Sequence, residues 1–114
     1  MTQYLISFGP GAMDHIPEAE MPDVEKETRA VVREAVAAGV WVFGGGLLDQ
    51  TSSVVDTDGT ITERPGPGGG MCIVNVPTRD EALRWATKVA AGCRCAQEVR
   101  EFMFDVEQDE LLRR

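Results

Sequence analysis

Apolar residues recur along this chain in two rhythms, and the switches between the rhythms mark its elements. Gln3 to Gly9 (Gln-Tyr-Leu-Ile-Ser-Phe-Gly) is a short apolar run closed by the breaker Gly9-Pro10-Gly11, which predicts a first strand. Pro22 suits a first helical position. Val24, Thr28, Val31, Val32 and Ala35 then share one face, while Glu25, Lys26, Arg29 and Arg33 share the other, so a first amphipathic helix is predicted to end at Gly39. Val40-Trp-Val-Phe is β-branched and aromatic and predicts a second strand. It runs into Gly44-Gly-Gly, where glycine either bulges or lets a group approach the backbone closely.

The second half repeats the order. Val54-Val55 and Thr60-Ile61-Thr62 flank Asp56-Thr-Asp-Gly59, and Asp-Gly between apolar pairs predicts a small hairpin. Pro65 to Gly70 reads as a flexible connection, and Met71-Cys-Ile-Val-Asn-Val76 as a buried strand. Leu83, Ala86 and Ala90 recur at spacings of three and four among polar Arg79, Asp80, Arg84 and Lys88, so Arg79 to Ala91 predicts a second helix. Thr78 is its expected N-cap, with Glu81 completing a capping box, and Gly92 its expected stop. Gln97 to Phe104 alternates apolar with charged positions and predicts a last strand, leaving residues 107–114 as a tail or short helix after a single domain of residues 1–106.

The order β-α-β, hairpin, β-α-β is that of a ferredoxin-like α+β fold, βαββαβ with an inserted β-hairpin, in which both helices cover one face of an antiparallel sheet. Two helices leave the other face open, including whichever of Tyr4, Ile6, Phe8, Trp41 and Phe43 point that way. A homodimer that pairs sheet with sheet would bury it, at roughly 25 cal/mol per Å² of apolar area.

Composition narrows the partners. With 114 residues and 43% apolar content, the chain fits one globular domain. A formal charge of −8 opposes a nucleic-acid groove or an anionic membrane surface. No apolar run reaches a bilayer's thickness, and Met-Thr-Gln-Tyr-Leu lacks the basic region of a signal peptide, so a cytoplasmic location is expected. Three cysteines are then expected as reduced thiols. Cys93 and Cys95 flank Arg94, but three thiolates with no nearby histidine do not complete a zinc site. They are read as small packing residues, with no metal and no cofactor expected.

His15 is the only histidine, and Asp14 beside it would supply an orienting carboxylate for acid–base chemistry; a solvated loop histidine is the simpler alternative. Glu98 and Arg100 share one side of the last strand, where they would pair with each other, cross a dimer interface or line a cleft. An enclosed site needs an apolar wall and a few placed polar groups, and the expected grouping is His15, Phe43, Arg100 and Glu98. The glycine runs match neither the P-loop nor the dinucleotide spacing.

The chain resembles the YCII-related, or DGPF-domain, family of small dimeric ferredoxin-like proteins. The resemblance is carried by Tyr4-Leu-Ile-Ser-Phe, Ala37-Ala-Gly-Val-Trp-Val-Phe-Gly-Gly-Gly, Asp58-Gly-Thr, Glu81-Ala-Leu-Arg-Trp-Ala and Cys93-Arg-Cys-Ala-Gln-Glu-Val-Arg-Glu-Phe-Met, and spans nearly the whole chain. It implies a dimeric α/β-barrel with a cleft near the dimer interface and, in a few relatives, action on lactones or halogenated ring-cleavage compounds. This chain departs from the pattern twice. Thr62-Glu-Arg-Pro-Gly-Pro stands where the resemblance implies Asp-Gly-Pro-Phe, and Thr28 where some relatives place a histidine that pairs with an aspartate. Thr28 cannot serve as a general base at neutral pH. Two functions are therefore expected: a homodimer that binds a small organic ligand in a cleft, or a small enzyme of lactone-handling, dehalogenase or isomerase type using an acid–base residue there.

Overall fold

The computed structural model describes residues 1–114. Six strands and three helices follow in the order β1 (Thr2–Phe8), α1 (Met21–Ala37), β2 (Trp41–Leu47), β3 (Gln50–Val55), β4 (Ile61–Gly66), β5 (Gly69–Val76), α2 (Arg79–Cys93), β6 (Glu98–Glu101) and α3 (Val106–Leu112), with a single 3-10 turn at Glu18–Glu20. Four strands form an antiparallel sheet in the order β2-β5-β1-β6, while β3 and β4 form a separate two-stranded ribbon. This α+β arrangement is compatible with a ferredoxin-like fold.

Strand alternation sorts the sheet into two faces. Tyr4 pairs with Val74 and Ile6 with Cys72, and these four sit with Val76 under α2, whose small Ala82 and Ala86 let the helix lie close to the sheet. Val40, Trp41, Trp85, Val89 and Val99 complete this core. The predicted face of α2 is corrected here: Leu83 is 40% exposed, and the buried line runs through Ala82, Ala86 and Cys93. Tyr4, Ile6 and Trp41 thus belong to the covered side. The other face carries Leu5, Phe43, Leu47, Met71 and Ile73, matched by the pairs Leu5↔Ile73 and Phe43↔Ile73, and no helix packs on it.

Most local signals are realised. Thr78 Oγ1 accepts a hydrogen bond from the Glu81 amide at 3.2 Å, capping α2 as expected. Asp56 Oδ1 accepts from the Thr57 amide and Asp58 Oδ1 from the Thr60 amide, with Gly59 at φ +87°, so the Asp-Gly turn closes β3 onto β4. The β2 irregularity falls at Val42, ahead of the glycines. Three expectations are corrected. Gly92 does not stop α2: the helix ends one residue later, with Arg94 in the left-handed region at φ +56°, and Gly92 is instead buried where α2 crosses α1, 3.4 Å from Thr28 Cα for an added methyl. Pro65 to Gly70 is not a loose connection, since Pro65 pairs with Thr51, Gly66 with Gln50, and Gly69-Gly70 open β5. The last strand stops at Glu101 rather than at Phe104.

Only 13 of 114 residues are buried, and the chain exposes 8221 Å². A compact folded chain of 12.4 kDa exposes about 6,100 Å², so roughly 2,100 Å² is in excess. The radius of gyration, 16.2 Å, likewise exceeds the ~13 Å of a compact domain this long. The excess has two sources. The sheet face bearing Phe43 and Leu47 is uncovered, and the β3–β4 ribbon and the α3 segment are mostly exposed.

Candidate functional site

A cavity of about 440 Å³ lies between α1 and the glycine-bearing end of the sheet. Its construction follows from residues without side chains. A Cβ on Gly44 would sit 2.5 Å from the Trp41 ring and 2.8 Å from Cys72 Cβ, and one on Gly70 would sit 2.5 Å from the Phe8 ring. Both aromatic rings therefore lie down on bare backbone. The apolar face of α1 (Val24, Val31, Val32) roofs the space beside these rings. This explains Gly44, which strand pattern alone left open. Met13 of the β1–α1 loop and Met21 add adaptable apolar walls.

The polar groups are few. Thr28 Oγ1 lies 3.6 Å from Cys93 Sγ, joining α1 to the end of α2 across the cavity wall. Cys72 also lines it, and burial, with a smaller contribution from neighbouring Cys93, pushes its thiol up to about 11. It is therefore a neutral thiol at physiological pH and a poor nucleophile. Burial likewise pushes the Cys95 thiol up, with Cys93 as the secondary cause. At the rim, Glu25 and Arg29 form an i,i+4 pair at 3.4 Å, both largely exposed. No histidine lines the space, and its walls are mostly apolar.

The residues expected to form the site do not converge within the protomer. His15 Nε2 donates to the Arg94 carbonyl at 2.8 Å, turning the ring toward the end of α2 and away from Asp14, whose carboxylate lies against Gly11. No hydrogen bond joins Asp14 to His15. Phe43 is 62% exposed on the open sheet face. Glu98 and Arg100 pair with each other at 2.8 Å and border a more open hollow with Ser7, Phe8 and Gln97. Neither His15 nor Phe43 borders either space. His15 instead belongs to a brace centred on Arg94, whose guanidinium meets Glu20 at 2.9 Å and Glu27 at 3.4 Å. The hydrogen bonds to Glu27 and then to Glu20 raise the Arg94 pKa.

Sequence reading passed over Thr28, Cys93, Phe8 and Trp41 as a group. One signal for them was present: Gly44, Gly46 and Gly70 fall on the same face of adjacent strands, opposite a helix whose apolar stripe carries a lone hydroxyl at Thr28. The three cysteines are free thiols, and His, Cys, Asp and Glu side chains form no group able to hold a metal ion. No helix is long and apolar enough to cross a membrane. No family model and no curated protein matches the chain.

Proposed function

We propose that this chain is a homodimeric binding protein of YCII-related, ferredoxin-like type, with the β3–β4 ribbon as an insertion, that holds a small apolar organic ligand between α1 and the sheet. The cavity carries the reading: about 440 Å³, walled mostly by apolar side chains, with the Thr28 hydroxyl facing the Cys93 thiol, within the range of small-molecule sites. Thr28, the position that the resemblance matches to a relative's histidine, borders this space. A ligand there meets a hydrogen-bonding group where a base would otherwise stand.

The dimer reading rests on area. An excess of roughly 2,100 Å² per protomer is comparable to what each partner buries in a large obligate interface. The open face offers Leu5, Phe43, Leu47, Met71 and Ile73 for it. Gly45 and Met71 alternate toward that face yet border the cavity, so a second copy seated there would lie near the ligand.

The test is titration of the protein with a panel of simple lactones and substituted benzenes, read by tryptophan fluorescence, to which Trp41 in the cavity wall and Trp85 outside it both contribute. Saturable quenching is expected from at least one compound, and Thr28→Met, which fills the space, should abolish it while leaving the fold intact by circular dichroism. Quenching that survives Thr28→Met, or none from any compound, counts against the cavity. Sedimentation at micromolar concentration checks the dimer separately, and a single monomeric species at all concentrations would refute it.

A further inference from the structure

The chain does not end with its sheet. Beyond Glu101 the Phe102 amide still donates to the Gln3 carbonyl at 3.0 Å, so Phe102 extends the β6 ladder by one step. The pairs Leu5↔Arg100 and Tyr4↔Glu101 then place Phe102 opposite Gln3, on the same open face as Leu5. From that point the backbone leaves the sheet. Met103 is 95% exposed, Phe104 71%, Val106 59%, Leu111 56% and Leu112 78%, and α3 buries none of its residues within its own protomer.

Such a segment is out of balance as a free tail. Six of the eleven residues from Phe102 to Leu112 are large and apolar, where a solvated tail would be polar. A seven-residue helix is also too short to persist on its own hydrogen bonds, although Asp105 Oδ1 caps it by accepting from the Gln108 amide at 3.0 Å. A cap and an apolar sequence left exposed mark a segment that folds against a surface supplied from outside.

We propose that Phe102–Leu112 is an arm that crosses onto a second copy of this chain and lies along that copy, so that each protomer of the dimer clasps the other. This rests on the dimer reading above. Three observations select a second copy as the occupant. The arm departs from the edge of the face that the dimer would cover, so its first aromatic residue is continuous with that interface. Its reach, about four extended residues and seven helical ones, is roughly 23 Å, enough to cover more than half of a protomer's 36 Å width. The protomer exposes roughly 2,100 Å² more than a compact chain of its mass, and the large apolar residues of the arm are part of that exposed surface.

The test uses the full chain carrying Met103→Asp and Phe104→Asp together, positions so exposed in the protomer that the fold does not depend on them. Sedimentation equilibrium of wild type and variant gives the dimer dissociation constant. A weakening of at least tenfold in the variant supports the arm. An unchanged constant overturns the arm and leaves the dimer standing, whereas a wild-type chain that is monomeric throughout removes the dimer and the arm with it. In a second measurement, p-benzoylphenylalanine replaces Phe104. Irradiation should give a covalent dimer, and a crosslink confined to one chain overturns the proposal.

Discussion

Replacing Gly44 by alanine tests whether the cavity is built by aromatic rings lying on bare strand. The new methyl would stand 2.5 Å from Trp41 Cζ2, 2.6 Å from Cη2 and 2.8 Å from Cys72 Cβ, all closer than carbon atoms approach. Cys72 sits on a central strand and cannot retreat, so the Trp41 ring must lift into the cavity. Overpacking by one methyl costs about 1–3 kcal/mol. Restricting the unfolded chain by adding a Cβ recovers about 0.4–1 kcal/mol, which leaves a net loss of about 1–2 kcal/mol. In a chain of 114 residues, 1 kcal/mol corresponds to about 4 °C of melting temperature, so the midpoint should fall by about 4–8 °C. Gly46→Ala is the control, because its methyl would meet only the Gly69 carbonyl at an ordinary 3.6 Å, and it should melt within a few degrees of wild type or above it. Thermal unfolding of the three proteins at one protomer concentration, with tryptophan fluorescence read in the folded state, gives both quantities. Equal melting of Gly44→Ala and wild type, or an equal loss in Gly46→Ala, would refute the construction.

Three further outcomes follow from the same geometry. Since the folded Cys72 thiol is pushed up to about 11 from an ordinary value near 9, the native state retains a proton that the unfolded state releases. Stability should therefore fall as pH rises from about 9 through 11, by up to about 3 kcal/mol, and urea unfolding of Cys72→Ala should show a flatter decline over that window. Arg94→Ala loses the bonds to Glu20 and Glu27 and keeps a Cβ at φ +56°, whereas Arg94→Gly loses the same bonds without that strain. The glycine variant should melt a few degrees above the alanine variant, with both below wild type. Gly92→Val forces branched carbons against the Thr28 backbone at the α1–α2 crossing and should cost about 1–3 kcal/mol in chemical unfolding, with the crossing misread if it costs nothing.

The elements were legible because each carries its own local chemistry. The two helices declare themselves by stripes at spacings of three and four, the Thr78 cap and the Asp58-Gly59 turn by residues that perform the same local task in any fold, and β5 by an unbroken apolar run. What failed were boundaries and faces set by tertiary contact. Gly92 looks like a helix stop until α1 is seen pressing on it, and Leu83 looks more like a core residue than Ala82 until the closeness of α2 to the sheet favours the smaller side chain. The site was least legible. His15, Phe43, Arg100 and Glu98 were grouped for their chemistry, yet strand alternation sends Phe43 to the open face and helix termination draws His15 to a carbonyl.

The cavity was hidden for the opposite reason, since what makes it is an absence of side chains. Gly44 and Gly70 carry no group that a motif could name, and their effect is visible only once β2, β5 and β1 lie side by side and the Trp41 and Phe8 rings settle on them. This also bears on function. A site for proton transfer requires an ionisable group held near the working pH, and here the buried candidate, Cys72, is moved away from it while Glu25 and Arg29 neutralise each other at the rim. On the binding reading proposed above, the site selects its ligand by shape. On the proposed dimer reading, a chain that buries so little of itself, with its apolar arm and sheet face turned outward, completes that shape by association, so ligand affinity should depend on protomer concentration in the range where the dimer forms.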